Sequence, residues 1–237
     1  MFLSRIFFYF LIILLFSNIT FAQDYLNNDF KNDWSAPLTI PVGQNILLWG
    51  GSATSLLILT RNETILPFQE YMSEQEPLGE LSKYGDLAGQ MIPNFSYMFY
   101  QWKWGEQVHA HRRIKYMFKV SFFAGMTTFF LKRLINERRP HKGDRNSFPS
   151  GHTTTAFAFA SAVSIEHKNW RIPAYALASF VGLSRINDNA HYLHDVVMGA
   201  TIGTAYGFAL AENSDSNDQF FAIPNKNGLD LRYVLLF

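Results

Sequence analysis

Apolar residues run without interruption over 6–16, just behind Arg5, and Thr20 and Ala22 place small side chains ahead of Gln23. The pattern predicts an export signal over 1–22, with an uncleaved N-terminal anchor helix as the competing reading. A second charge-free stretch covers 34–60, and its better helical part is 45–60. Four further apolar segments follow, at 116–131, 153–165, 172–183 and 196–211. Each mixes Ala, Gly, Ser or Thr with large apolar residues, which predicts helices packed closely on other helices. Several fall short of the ~20 apolar residues that cross a bilayer, so a soluble helical core and a membrane bundle both remain open. The aromatic section 95–104 reads as an amphipathic helix against the bundle or at a bilayer interface. After Glu212 the chain turns polar, and alternation over 229–237 predicts one terminal strand. Asn225 to Gly228 would turn it against 220–223 as a hairpin.

The predicted fold class is therefore all-α, a helical bundle of about five to six core helices with a short C-terminal β-hairpin. The domain boundaries read as 1–22 for the signal or anchor, 23–212 for the helical domain and 213–237 for the polar tail.

Composition narrows the chemistry. Twenty Lys and Arg against 19 Asp and Glu give a net charge of +1 over 237 residues, which argues against a nucleic-acid partner. Apolar residues at 48% supply a packed core, and the absence of cysteine removes disulfides, thiolate metal sites and a cysteine nucleophile. Histidine, serine and carboxylates are left. A mean hydropathy of −0.03 is low for a chain made wholly of spans, yet 23 Phe and 11 Tyr are many for a soluble enzyme.

Three clusters carry the chemistry. Lys132, Arg133, Arg138, Arg139, Lys142 and Arg145 stand against only Glu137 and Asp144, a local excess that suits a doubly charged anion. Lys132 and Arg139 are seven apart, which on a continuous helix puts them on nearly the same face, with Pro140 helping to stop it. The second cluster runs from Ser147 to Thr155. There Ser150 caps a helix start, Gly151 lets backbone N–H groups approach an anion and His152 stands beside it. The third runs from Ser184 to Asp195. His191 and Asp195 read as four apart on one helix, near enough to interact, the carboxylate holding one ring nitrogen and leaving the other nucleophilic. Singly, each has a bland explanation: a solvated charged helix end, a capped helix with an incidental histidine, a surface His/Asp pair.

Together they are far more specific. Lys132, then Arg139-Pro140 after six residues, Pro149-Ser150-Gly151-His152, Ser184-Arg185, His191 after five residues and Asp195 after three more fill eleven positions in order. This resembles the full three-part signature of the phosphatidic acid phosphatase type 2 and vanadium haloperoxidase superfamily, over roughly 116–211.

The resemblance implies a phosphoric ester hydrolase that needs no metal or other cofactor. In it His191 attacks phosphorus to form a phosphohistidine, Asp195 steadies the imidazole charge and His152 protonates the leaving oxygen. Lys132, Arg139, Arg185, Ser150 and the Gly151 amide hold the phosphoryl oxygens. The expected substrate is a phosphate monoester or diphosphate, of a lipid or of a small molecule, with no obligate protein partner. The expected place is the cell envelope: the cytoplasmic membrane with a periplasm-facing site, or the periplasm if the signal is cleaved. A soluble periplasmic acid phosphatase, a vanadate-dependent haloperoxidase and a non-catalytic anion-binding membrane protein are the alternatives. His109 and His111, beside Arg112 and Arg113, read as a solvated basic turn, and His167 as exposed. His141 and His194 flank signature positions without a role in the pattern, and no histidine pair has the carboxylate support of a dedicated metal site.

Overall fold

The computed structural model describes residues 30–141 and 143–212, together with two strands, 218–225 and 228–235. The segment expected to be a signal or anchor lies outside the described residues, as does Lys142. The chain divides into two units, 1–35 and 36–237, and the second holds the helical bundle with all three sequence clusters.

Helix α1 (Phe30–Thr39) leads into α2 (Pro41–Leu59), α3 (Ile65–Gln75), α4 (Ser82–Gly89), α5 (Ile92–Trp104), α6 (Gln107–Ile135), α7 (Gly151–Glu166), α8 (Arg171–Asn187) and α9 (Leu193–Glu212). Strands β1 (Asp218–Asn225) and β2 (Gly228–Leu235) pair antiparallel with Asn225 opposite Gly228, the predicted hairpin. The all-α expectation holds, and every apolar segment expected to be helical after the N-terminal one is helical.

The differences lie at helix ends. Helix α6 starts at 107, well before the predicted 116, because its basic first turns are neutralised from outside. Arg112 and Arg113 reach the Glu166 carboxylate at 2.8 and 3.1 Å, so His109 and His111 stand on a helix and not in a solvated turn. His167 is half-buried and its Nε2 lies 3.0 Å from the Tyr97 hydroxyl, which corrects the expectation of simple exposure.

Helix α7 is the centre of the bundle, packed by α9, α8 and α6 and touched by α4 near its start. Its small residues make this possible: Thr153 to Ala156, Ala158 and Ala160 to Ser164 are all buried. Helix α9 presents Gly199, Gly203 and Gly207, one per turn, to this surface. A Cβ at Gly203 would lie 2.4 Å from the Thr154 carbonyl oxygen, and one at Gly207 would lie 2.3 Å from Ser161 Cβ. The glycine stripe brings two backbones together and fixes the height of α9, and of Asp195 in its first turn, against the start of α7.

Helix α2 packs on the outer side of α9. Among the described residues it is the one helix long and apolar enough to cross a membrane, and only 11% of that stretch is buried. Two shallow clefts flank it, one lined by Leu47, Leu56 and Leu59 and the other by Trp49, Val197 and Thr201. Both lack charged residues, which makes them chemically mute.

Candidate active site

The site is assembled where the end of α6, the start of α7, the end of α8 and the start of α9 meet. Helix α6 stops at Ile135 because Asn136 takes a left-handed conformation (φ 51°) and returns its N–H to the Lys132 carbonyl. Arg139 therefore lies in the loop after the helix, and the expected shared helix face with Lys132 does not exist. The two cations are brought together by the loop instead. Lys132 Nζ donates to the carbonyls of Asn146 (2.5 Å) and Ser147 (3.1 Å), while Arg139 Nε donates to Asp144 Oδ1 at 2.8 Å. The other described cations of the cluster, Arg133, Arg138 and Arg145, are exposed.

Burial pushes the Lys132 ammonium down to about 8, aided by the Arg139 charge and opposed by Asp195 and Asp144. It is still protonated at neutral pH. Its stem runs past the start of α7, since a Cβ on Gly151 would find Lys132 Cε at 3.8 Å.

Ser150 caps α7 as expected, its Oγ accepting from Thr153 N (3.5 Å) and from Thr153 Oγ1 (2.9 Å). The serine is fully buried and its N–H donates to the Asp195 carbonyl at 3.0 Å, which ties the second cluster to the third.

His191 does not sit on a helix with Asp195. It lies in the bend two residues before α9, and its N–H donates to the Arg185 carbonyl at 3.2 Å. The expected pairing survives the change of backbone, since Nδ1 is 3.4 Å from Asp195 Oδ2 and Nε2 is left for other work. The same Oδ2 accepts from the Ser147 hydroxyl at 2.6 Å and from Tyr192 N at 2.8 Å. Burial alone would raise the Asp195 carboxyl, but the His191 hydrogen bond, the neighbouring His194 and His191 imidazoles and the Ser147 hydroxyl outweigh it and hold the group below its ordinary value. His191 is itself pushed down by burial, with the Asp195 hydrogen bond opposing. An imidazole kept neutral and oriented by an ionised carboxylate has the chemistry of a nucleophile.

Arg185 is buried, and its guanidinium is spread over Ser184 Oγ (3.2 Å), Asp188 Oδ2 (2.7 Å), the Ser82 carbonyl (3.5 Å) and Asp86 Oδ1. His152 Nε2 lies 3.2 Å from the same Asp86 oxygen. Burial lowers His152 to about 4, helped by Arg185 and resisted by Asp86, with His191 and Arg139 adding smaller downward pushes. The three clusters thus form one electrostatic neighbourhood of two imidazoles and three cations.

Three participants escaped the sequence reading. Ser147 stands inside the second cluster without any mark of its bond to Asp195. His194 is fully buried between the Phe148 and Tyr192 rings, and its Nε2 lies 3.0 Å from Glu137 Oε2 and 3.2 Å from Asp195 Oδ1. The carboxylate support that no histidine showed in sequence is thus present in space, although Arg61 at 3.1 Å from Glu137 already neutralises that side. Asp86 lies far outside the signature; the spacing of Ser82, Gly85 and Gly89 on one helix face was the available signal.

Residues 114–217 match the PAP2 superfamily family model. That stretch belongs to the PAP2 superfamily. Among curated proteins it is similar to a lipid A 1-phosphatase of Rhizobium etli, 31% identical over 153 residues that cover 53% of this chain and 66% of the relative. A lipid A 1-phosphatase of Porphyromonas gingivalis is 42% identical over 73 residues, 29% of this chain and 16% of the relative. The matched stretches thus span less than two thirds of either relative. Among solved structures, Aquifex aeolicus LpxE superposes with a TM-score of 0.53 at 20% identity, covering 62% of this chain and 94% of that one. This likeness shows a shared fold.

Proposed function

We propose that this PAP2 protein is a lipid phosphatase that removes a terminal phosphate by way of a phosphohistidine on His191. The observation that carries the proposal is the buried His191–Asp195 pair in one neighbourhood with Lys132, Arg139 and Arg185. Nε2 of His191 forms the N–P bond as the ester P–O bond breaks, and His152 gives its proton to the departing oxygen. Water then attacks the phosphohistidine, releasing inorganic phosphate and restoring the imidazole. Asp195 holds the Nδ1 proton throughout and stabilises the charge that the ring gains. Lys132, Arg139, Arg185, the Ser150 hydroxyl and the Gly151 N–H receive the phosphoryl oxygens, supplying the positioning and charge neutralisation that phosphoryl transfer chiefly needs.

His152 at about 4 holds too little proton to act as an acid at neutral pH. An arriving phosphate dianion raises it, so substrate binding and protonation of the acid are one event. A lipid substrate is supported by the names of the curated relatives and by the apolar surface. Trp49, Leu56 and Leu59 of α2, Trp102 and Trp104 of α5 and Ile172 at the start of α8 are all exposed. Such a surface suits hydrocarbon and its aromatic border. We place α2 in the cytoplasmic membrane and the site on its outer side.

The test is turnover of a panel of lipid monophosphates, diphosphates and soluble monoesters, with and without chelator. His191→Ala is expected to abolish turnover while phosphate still binds. Hydrolysis by His191→Ala at the wild-type rate would overturn the proposal. Release by carbonate in place of detergent would overturn the membrane assignment alone.

A further inference from the structure

Helix α4 lies outside the stretch matched to the family, yet it reaches the centre of the site. Small residues let it do so. A Cβ on Gly85 would fall 2.2 Å from Ser184 Oγ, and one on Gly89 would fall 2.6 Å from His152 Cβ. The Gly89 carbonyl accepts from Thr155 Oγ1 at 2.7 Å and the Ser82 carbonyl from Arg185, so the helix is fastened to α7 and α8 at both ends. Asp86, between these anchors, has its backbone fixed over the gap between α7 and α8. Its Oδ1 meets both the Arg185 guanidinium and His152 Nε2, two groups assigned above to the substrate phosphate and its leaving oxygen.

We propose that Asp86 is a resident carboxylate of the phosphate pocket, holding Arg185 and His152 in the empty enzyme and giving way to the terminal phosphate of the substrate. The inference rests on the function proposed above. A buried guanidinium calls for counter-charge, and Asp86 adds its carboxylate to that of Asp188 when no ligand is bound. The two partners differ in how firmly they are held. Arg185, with a side chain 6% exposed, keeps Ser184, Asp188 and the Ser82 carbonyl when Asp86 leaves. The Asp86 side chain is 43% exposed, and its other contact is the exposed Gln90, whose Nε2 donates to Oδ2 at 2.8 Å. The Asp86 side chain is therefore the member that moves. The charged groups facing His152 are Arg185 and Asp86, then His191 and Arg139 at longer range, so the exchange replaces one anion beside the ring with another. A phosphate dianion brings two charges where Asp86 brought one, which favours terminal phosphates in that exchange.

The test is inorganic phosphate binding by calorimetry to the full chain, wild type against Asp86→Asn. Removing the competing charge is expected to tighten phosphate binding about fivefold, the scale of a half-exposed ion pair. KM for substrate should fall with it while kcat does not rise, a split that a merely structural residue would not give. Asp86→Ser serves as the second variant should Asp86→Asn fail to melt cooperatively. Phosphate binding unchanged or weakened in a folded variant would overturn the inference. Because binding is read without turnover, that result is distinct from failure of the proposed function, which His191→Ala turnover reports.

Discussion

Asp195 Oδ2 receives the Ser147 hydroxyl at 2.6 Å while it lies 3.4 Å from His191 Nδ1, so one carboxylate oxygen joins the loop before α7 to the bend before α9. Ser147→Ala removes the shorter of the two bonds and leaves a fully buried carboxylate short of a donor. A hydrogen bond to a charged group is worth about 1.5–3 kcal/mol, and a stability loss of that size is expected in denaturant melts. Turnover should fall too, because Asp195 loses one of the two short contacts, Ser147 and the Tyr192 N–H, that fix its rotamer.

Asp195→Asn keeps the shape of the group and removes its charge. The His191 ring then loses the acceptor that orients Nδ1–H and the anion that offsets its charged state. A fall in kcat on the order of 10²- to 10⁴-fold is expected with KM within a few fold, measured by steady-state kinetics.

Two groups set the pH behaviour. Lys132, at about 8, is charged at neutral pH and loses its charge above that value. Activity, as kcat/KM, is expected to decline from about pH 8 upward, and Lys132→Arg should move that limb higher; a rate that keeps rising above pH 9 contradicts the assignment. His152 works on the acidic side. Its value in the folded chain is about 4 against 6.5 for the free group, so its stabilising effect is complete above 6.5 and lost as the pH falls toward 4. Phosphate reverses this by favouring the protonated ring. Calorimetry at pH 5–6 in buffers of different ionisation enthalpy should show a proton taken up with phosphate by the wild type, and none by His152→Ala beyond that due to the phosphate itself.

The contact between α9 and α7 makes a prediction about folding alone. Gly203→Ala would drive a methyl into the Thr154 carbonyl at 2.4 Å, and neither helix backbone yields cheaply. A destabilisation of roughly 1–3 kcal/mol is expected, seen as a lower melting temperature with the variant still helical by circular dichroism.

The helices of the bundle were legible in the sequence because their apolar and small residues repeat at helical spacing, and the signature residues because their spacing is so specific. What sequence could not give was the path between them. Lys132 and Arg139 converge through a left-handed Asn136 and the loop behind it, and His191 approaches Asp195 from a bend before the helix starts. Spacing alone does not distinguish these routes from a continuous helix. Asp86, Glu137 and His194 depend on contacts between segments more than fifty residues apart, and no local pattern marks such contacts. The start of α6 is hidden from the sequence for a similar reason, since the neutralising Glu166 belongs to another helix.

The most direct measurement is rapid quenching of the wild-type enzyme during turnover of a radiolabelled lipid phosphate, followed by peptide mapping of the protein under alkaline conditions. Label on the peptide containing His191, lost in acid and absent from His191→Ala, is the expected result. Full turnover with no labelled protein at any quench time, together with an active His191→Ala, would contradict covalent catalysis by this histidine.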